Sequence, residues 1–173
     1  MTAVAGAAYT AAQFNSNVRD NLFETGPAKA TVAGRFLITA GTNSLVERVI
    51  SQANNSNPQT TSSTSFTDLA TVGPRITATT GTMALGWFSA QMSNSQVNTI
   101  CAAAVAITGA SSISADNTKD LYIDGLPAGQ ALRSSTVELY TGLTAGSNVF
   151  TLQYRVGGGT GTFYDRSLGI LGL

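Results

Sequence analysis

The chain has 173 residues, 10% of them charged, with no histidine, one cysteine, and nine basic residues cancelling nine acidic ones. An average soluble domain carries roughly 25% charged residues, so hydroxyls and amides rather than charge keep this surface in water. That inventory excludes imidazole-based catalysis, an intrachain disulfide and the basic patch of a nucleic-acid binder, and a surface without net charge does not oppose association.

Hydrophobic residues make up 43% of the chain, enough for a core of one domain with a small appendage. The start, Met1-Thr2-Ala3-Val4-Ala5-Gly6, lacks the basic and apolar regions of a signal peptide, and no stretch reaches the length of a membrane span. The expectation is synthesis in a cytoplasm, without classical secretion or membrane insertion.

The first predicted element is a helix over about 11–25. Thr10-Ala11-Ala12-Gln13 has the form of a capping box. Phe14, Val18 and Leu22 follow at four-residue spacing and make one apolar stripe, with Asn15, Ser16, Arg19 and Asp20 off it. Gly26-Pro27 is expected to stop the helix. A helix of about fourteen residues is marginal alone, so the stripe needs a docking partner. Phe14, Val18 and Leu22 are the candidate attachment contacts. A short hairpin is expected from Arg35–Thr39 and Ser44–Val49, around the turn Ala40-Gly41-Thr42-Asn43. Residues 1–50 read as an attachment segment, and the polar run 51–58 as a linker.

From residue 59 to 173 every signal is β. Ser63–Leu69, Arg75–Thr79, Met83–Ser93, Val97–Thr108, Ala131–Tyr140, Asn148–Val156 and Gly161–Leu171 are predicted strands. Glycine-rich turns separate several of them, and Gly157-Gly158-Gly159-Thr160-Gly161 is a hairpin loop rather than a phosphate cradle. The fold class is mainly β: an antiparallel β-sandwich or jelly roll with a short N-terminal helix and an extended attachment segment. Phe150, Leu152, Tyr154 and Val156 alternate with polar residues, as in a strand buried on one face. Met83–Ala90 and Ile100–Ile107 are apolar or small on both faces, whereas a two-sheet sandwich buries only one. Either identical subunits packed around an axis or loops of the same chain must cover the second face. Leu85, Trp87, Phe88, Ala103 and Ala104 are the candidate oligomer contacts.

No catalytic, metal or cofactor site emerges. The nine carboxylates show no paired spacing that would mark a glycosidase-type acid and base. Asp116-Asn117-Thr118-Lys119-Asp120 and Asp124-Gly125 supply hard oxygens, but not at a calcium-loop spacing, and read as a solvated loop. Cys101 lies in an apolar run and reads as a small buried residue. Tyr122, Tyr140, Tyr154, Tyr164 and Trp87 either fill the sandwich core or form a surface on which sugars stack.

The string Thr10-Ala11-Ala12-Gln13-Phe14-Asn15-Ser16-Asn17-Val18-Arg19-Asp20-Asn21-Leu22 resembles a helical element near the start of many virion proteins of tailed bacteriophages, especially phages of actinobacteria. Those are of the minor tail or tail-fibre type. Thr64–Pro74 and Gly142–Val156 resemble the β-domains of the same proteins. The resemblance implies a homotrimeric jelly-roll head, similar in outline to the tumour-necrosis-factor and C1q type, and an N-terminal segment bound to other virion proteins. The expected function is structural, not enzymatic: a virion protein displaying an oligomeric head for host attachment, with a host surface glycan as a further partner. Two alternatives share the fold: a capsid decoration protein that stabilises the phage head, and a carbohydrate-binding module.

Overall fold

The computed structural model describes residues 8, 10–23, 26–42 and 44–173. The chain divides into two compact units, Met1–Val49 and Ile50–Leu173.

In the first unit, α1 (Ala11–Phe14) opens with the capping box that its residues predict. The Gln13 amide donates to Thr10 Oγ1 at 3.2 Å, and the Thr10 amide donates to Gln13 Oε1 at 3.0 Å. A π turn over Asn15–Arg19 leads into α2 (Asp20–Phe23). Residues 24 and 25, where the expected helix ends, lie outside the described residues, and Gly26-Pro27 opens a further helical turn, α3 (Gly26–Lys29). The physical reason is that proline fits a first helical turn, where its missing N–H is not required. Strands β1 (Phe36–Gly41) and β2 (Ser44–Arg48) form the predicted antiparallel hairpin. The Glu47 carboxylate accepts from the Thr31 hydroxyl at 2.9 Å, the Val32 amide at 3.1 Å and the Thr31 amide, tying the segment before β1 to β2.

The second unit is a two-sheet sandwich. Its strands are β3 (Ile50–Asn55), β4 (Gln59–Thr61), β5 (Arg75–Thr80), β6 (Met83–Asn94), β7 (Cys101–Gly109), β8 (Asp120–Ile123), β9 (Ala131–Thr141), β10 (Gly146–Val156) and β11 (Gly161–Gly172). One sheet has the order β5-β10-β7-β8; the other has β3-β11-β6-β9, with β4 also paired to β11. Every pairing is antiparallel. β10 and β11 follow each other in sequence but lie in the middle of opposite sheets, the crossover pattern of a jelly roll.

The alternation read in β10 points Phe150, Leu152, Tyr154 and Val156 into the core, all at 0% exposure. Phe163, Leu168 and Ile170 of β11 meet them from the other sheet. A bulge between Tyr164 and Ser167, with Asp165 at φ 47°, turns Arg166 inward. The guanidinium donates to the Gly73 and Asn57 carbonyls at 3.3 and 3.1 Å and lies over the Tyr154 ring.

Two sequence expectations change, and one strand was not expected. Residues 51–58 are not a free linker, because Ile50–Asn55 is an edge strand paired with β11 from Leu171↔Ile50 to Arg166↔Asn55. Its side chains are mostly polar, and the backbone ladder holds it, so composition conceals it. Ser63–Leu69 makes only an isolated bridge, Thr67 to Tyr154, rather than a strand. β8 escaped notice among aspartates, although its Leu121 and Ile123 are buried.

Candidate assembly face

Strand parity determines which side chains the β3-β11-β6-β9 sheet turns away from the core. On β6, Ala84, Phe88, Ala90 and Met92 point inward, and Met83, Leu85, Trp87, Ser89 and Gln91 point outward. The register then sets out rows across the outer face. Leu85 stands between Leu139 of β9 and Leu171 of β11, and Ile50 of β3 lies beyond Leu171. Trp87 stands between Val137 and Gly169, and Gln52 lies beyond Gly169. Ser89 stands between Ser135 and Ser167, and Asn54 lies beyond Ser167.

The face therefore has two halves. The apolar half leaves Val137 66%, Leu139 47%, Ile50 44% and Met83 40% exposed. Singly exposed apolar side chains are ordinary; a contiguous group on one sheet face marks an interaction site. The polar half is built from hydroxyls, amides and one arginine. Ser89 and Ser167 share a hydrogen bond at 2.8 Å, and Arg133 reaches Ser89 Oγ at 3.4 Å. Asp165 and Arg133 line one shallow cavity of about 250 Å³ beside this half.

The opposite sheet differs. Ala102 and Ala104 of β7 point away from the core, yet both are buried. Two segments of the same chain lie on this side, residues 64–66 and 113–119. Ile107 and Ile113 exchange backbone hydrogen bonds at 2.8 and 2.9 Å. Arg155 donates to Asn117 Oδ1 at 2.8 Å, stands 3.7 Å from Asp120 Oδ2 and lies over the Phe66 ring. Burial pushes the Asp120 carboxyl up, against the pull of Arg155. The two strands therefore differ: the outward side chains of β7 are buried within the chain, and among the described residues the outer face of β6 has no such cover.

The candidate contacts sort accordingly. Leu85 and Trp87 lie on the uncovered face. Phe88, at 1% exposure, belongs to the core, because its neighbour Trp87 takes the opposite side. Ala103 is a core residue, and Ala104 lies beneath the loop, so neither reaches a partner. In the first unit, Phe14 and Leu22 are 51% and 60% exposed, while Val18 is half-buried in the π turn. The tyrosines are dispersed: Tyr140 and Tyr154 sit in the core, Tyr122 is exposed, and Tyr164 is half-buried on the outer face of β11. Asp116 turns its carboxylate to the Thr118 amide and hydroxyl, which hold it below the usual range. Among the described residues no three acidic or cysteine side chains group as metal ligands. Cys101 is fully buried, and its thiol donates to the Ser93 carbonyl at 3.3 Å.

Gly169 is the residue that sequence reasoning missed. It faces outward and is nonetheless buried, because the Trp87 indole lies on it. A Cβ at 169 would stand 2.1 Å from Trp87 Cε2. Glycine is what lets the ring lie against the sheet.

Two antiparallel sheets, face to face and joined by crossovers, define a jelly-roll protein. No family model and no characterised protein matches the chain by sequence. Solved structures do match. The tumour necrosis factor Eiger of S. frugiperda aligns over 73% of this chain and 92% of its own, at 13% identity and a TM-score of 0.51. The VP2 protein of infectious bursal disease virus, in a D431N mutant forming T=1 particles, aligns over 78% of this chain at 9% identity and a TM-score of 0.49. This chain spans about a third of that protein, 35%. At such identities the likeness shows the fold alone. No helix among the described residues is long and apolar enough to cross a membrane.

Proposed function

We propose that this chain is a structural protein of a tailed-phage virion, of the minor tail or tail-fibre class. In this reading the Met1–Val49 unit attaches to other virion proteins through Phe14, Val18 and Leu22. The Ile50–Leu173 unit forms a homotrimeric head, displayed towards the host and its surface glycans. The role is assembly and not catalysis, in keeping with a chain that has no histidine.

One observation carries the reading: the contiguous apolar half-face around Leu85, Trp87, Val137 and Leu139, on a chain that has no net charge. A surface of this kind is buried in an assembly or aggregates. The strings at Thr10–Leu22, Thr64–Pro74 and Gly142–Val156 supply the virion context. The test is a phage whose gene for this chain is disrupted. Particles that assemble with full capsids but adsorb poorly support the tail role. Fragile capsids with normal adsorption would replace it with the decoration role, and particles unchanged in both respects would refute a virion function.

A further inference from the structure

The outer face of the β3-β11-β6-β9 sheet has a built centre. Trp87 lies in the row between Val137 and Gly169, at the middle strands of the sheet. Its indole is held against the sheet in the notch left by Gly169, where any side chain would collide with it. Such a ring presents a large rigid surface with little conformational entropy left to lose, which is how tryptophan comes to anchor interfaces.

We propose that Trp87, seated over Gly169, is the anchor on which a second copy of this chain docks. The inference rests on the oligomeric head proposed above and names its contact. The occupant follows from the chemistry of the whole face. Its polar half offers hydroxyls and amides (Ser89, Ser135, Ser167, Asn54, Gln52), each both donor and acceptor, so an identical surface can satisfy them. Its Arg133 and the bordering Asp165 line one cavity and leave the face without net charge, so a copy meets no like-charge repulsion there. The apolar half needs only another apolar surface. A strongly charged partner would find no complement on this face.

Gly169 then acts as a positioning residue. It lies outside the left-handed region, so alanine fits its backbone, and the nearest atoms its Cβ would meet are those of the Trp87 indole, which must move. The experiment uses the full chain. Sedimentation is measured across a concentration series, together with the emission of Trp87, the single tryptophan. The expected wild-type result is a closed oligomer whose emission moves to the red as dilution releases protomers. Gly169→Ala should weaken association at least about thirtyfold, the effect of losing an interface hot spot. Val137→Arg, at an exposed position of edge strand β9, should do the same while leaving circular dichroism and core packing unchanged. It decides the matter should the alanine variant not fold. A wild-type chain that stays monomeric at about 100 µM, some hundredfold above a micromolar dissociation constant, overturns the inference. So does an oligomer that survives both substitutions with unchanged emission. An oligomer that behaves as predicted but belongs to no virion would refute the function proposed above and leave this contact standing.

Discussion

Asn148 joins the loops at one end of the β5-β10-β7 sheet, and its replacement tests the account of how the head is held together. The side chain is fully buried. Its Nδ2 donates to Thr80 Oγ1 at 2.8 Å and to the Thr144 carbonyl at 3.0 Å, and its Oδ1 accepts from the Ser111 amide at 2.7 Å. The end of β5, the loop following β7 and the turn leading into β10 thus meet on one amide. Asn148→Ala leaves the Ser111 N–H without its acceptor, at a cost of about 1–3 kcal/mol. The Thr80 hydroxyl keeps its bond to the Gly81 carbonyl, so its loss is smaller. With the weakened Thr144 contact and the small cavity, the total is about 3 kcal/mol. For a chain of this size that lowers Tm by roughly 6–12 °C. Asn148→Asp separates hydrogen bonding from shape. It keeps the acceptor for Ser111 but turns a second carboxylate oxygen onto the Thr144 carbonyl, which disfavours the ionised form. The folded pKa of the new carboxyl therefore rises above its unfolded value of about 3.9. Its destabilisation is small while the group is protonated and grows as pH climbs through the unfolded value. Thermal unfolding by circular dichroism at pH 4 and pH 7 measures both effects. An alanine variant within about 2 °C of wild type, or an aspartate variant whose loss of Tm relative to wild type is smaller at pH 7 than at pH 4, would refute the reasoning.

Other expectations are equally direct. Replacing Phe14, Val18 and Leu22 together by serine removes contacts worth about 1.5–3 kcal/mol each if docking buries them; the head should unfold at its wild-type temperature while incorporation into particles is lost, as quantified on purified virions. Ala104→Arg should lower Tm by disrupting the loop that covers β7 and leave the association constant of the remaining folded protein unchanged, which sedimentation at low temperature checks. Glu47 is held below the usual carboxylate range, chiefly by the Thr31 amide. A depressed folded pKa gives a contribution present above the unfolded value of about 4.3 and lost as pH falls through the folded one. The Thr31 and Val32 amide resonances should therefore stay fixed from neutral pH to the upper carboxylate range and shift only in stronger acid.

Much of the head was legible because its strands alternate. Phe150, Leu152, Tyr154 and Val156 mark a one-sided strand in the sequence and are one. What alternation does not carry is the identity of the cover. β6 and β7 are both apolar on two faces, yet one is shielded by the loop around Ile113–Lys119 and the other is left bare, a difference that depends on contacts distant in sequence. The same parity that pairs Leu85 with Trp87 sends Phe88 to the core, so the three could never share an interface. Gly169 was illegible for a subtler reason. Its place beside Trp87 depends on the bulge between Tyr164 and Ser167, which inserts one residue and resets which side of β11 faces out. β3 resembles a linker in sequence because an edge strand held by its backbone needs little from its side chains, and Ser51–Asn55 offers little beyond Ala53.

The central claim is that this head is part of a phage tail. Imaging purified particles with an antibody fragment raised against the Ile50–Leu173 unit tests it most directly. The account predicts label confined to the tail, in clusters that reflect the self-associated head. Particles without label, or label spread evenly over the capsid, would contradict it.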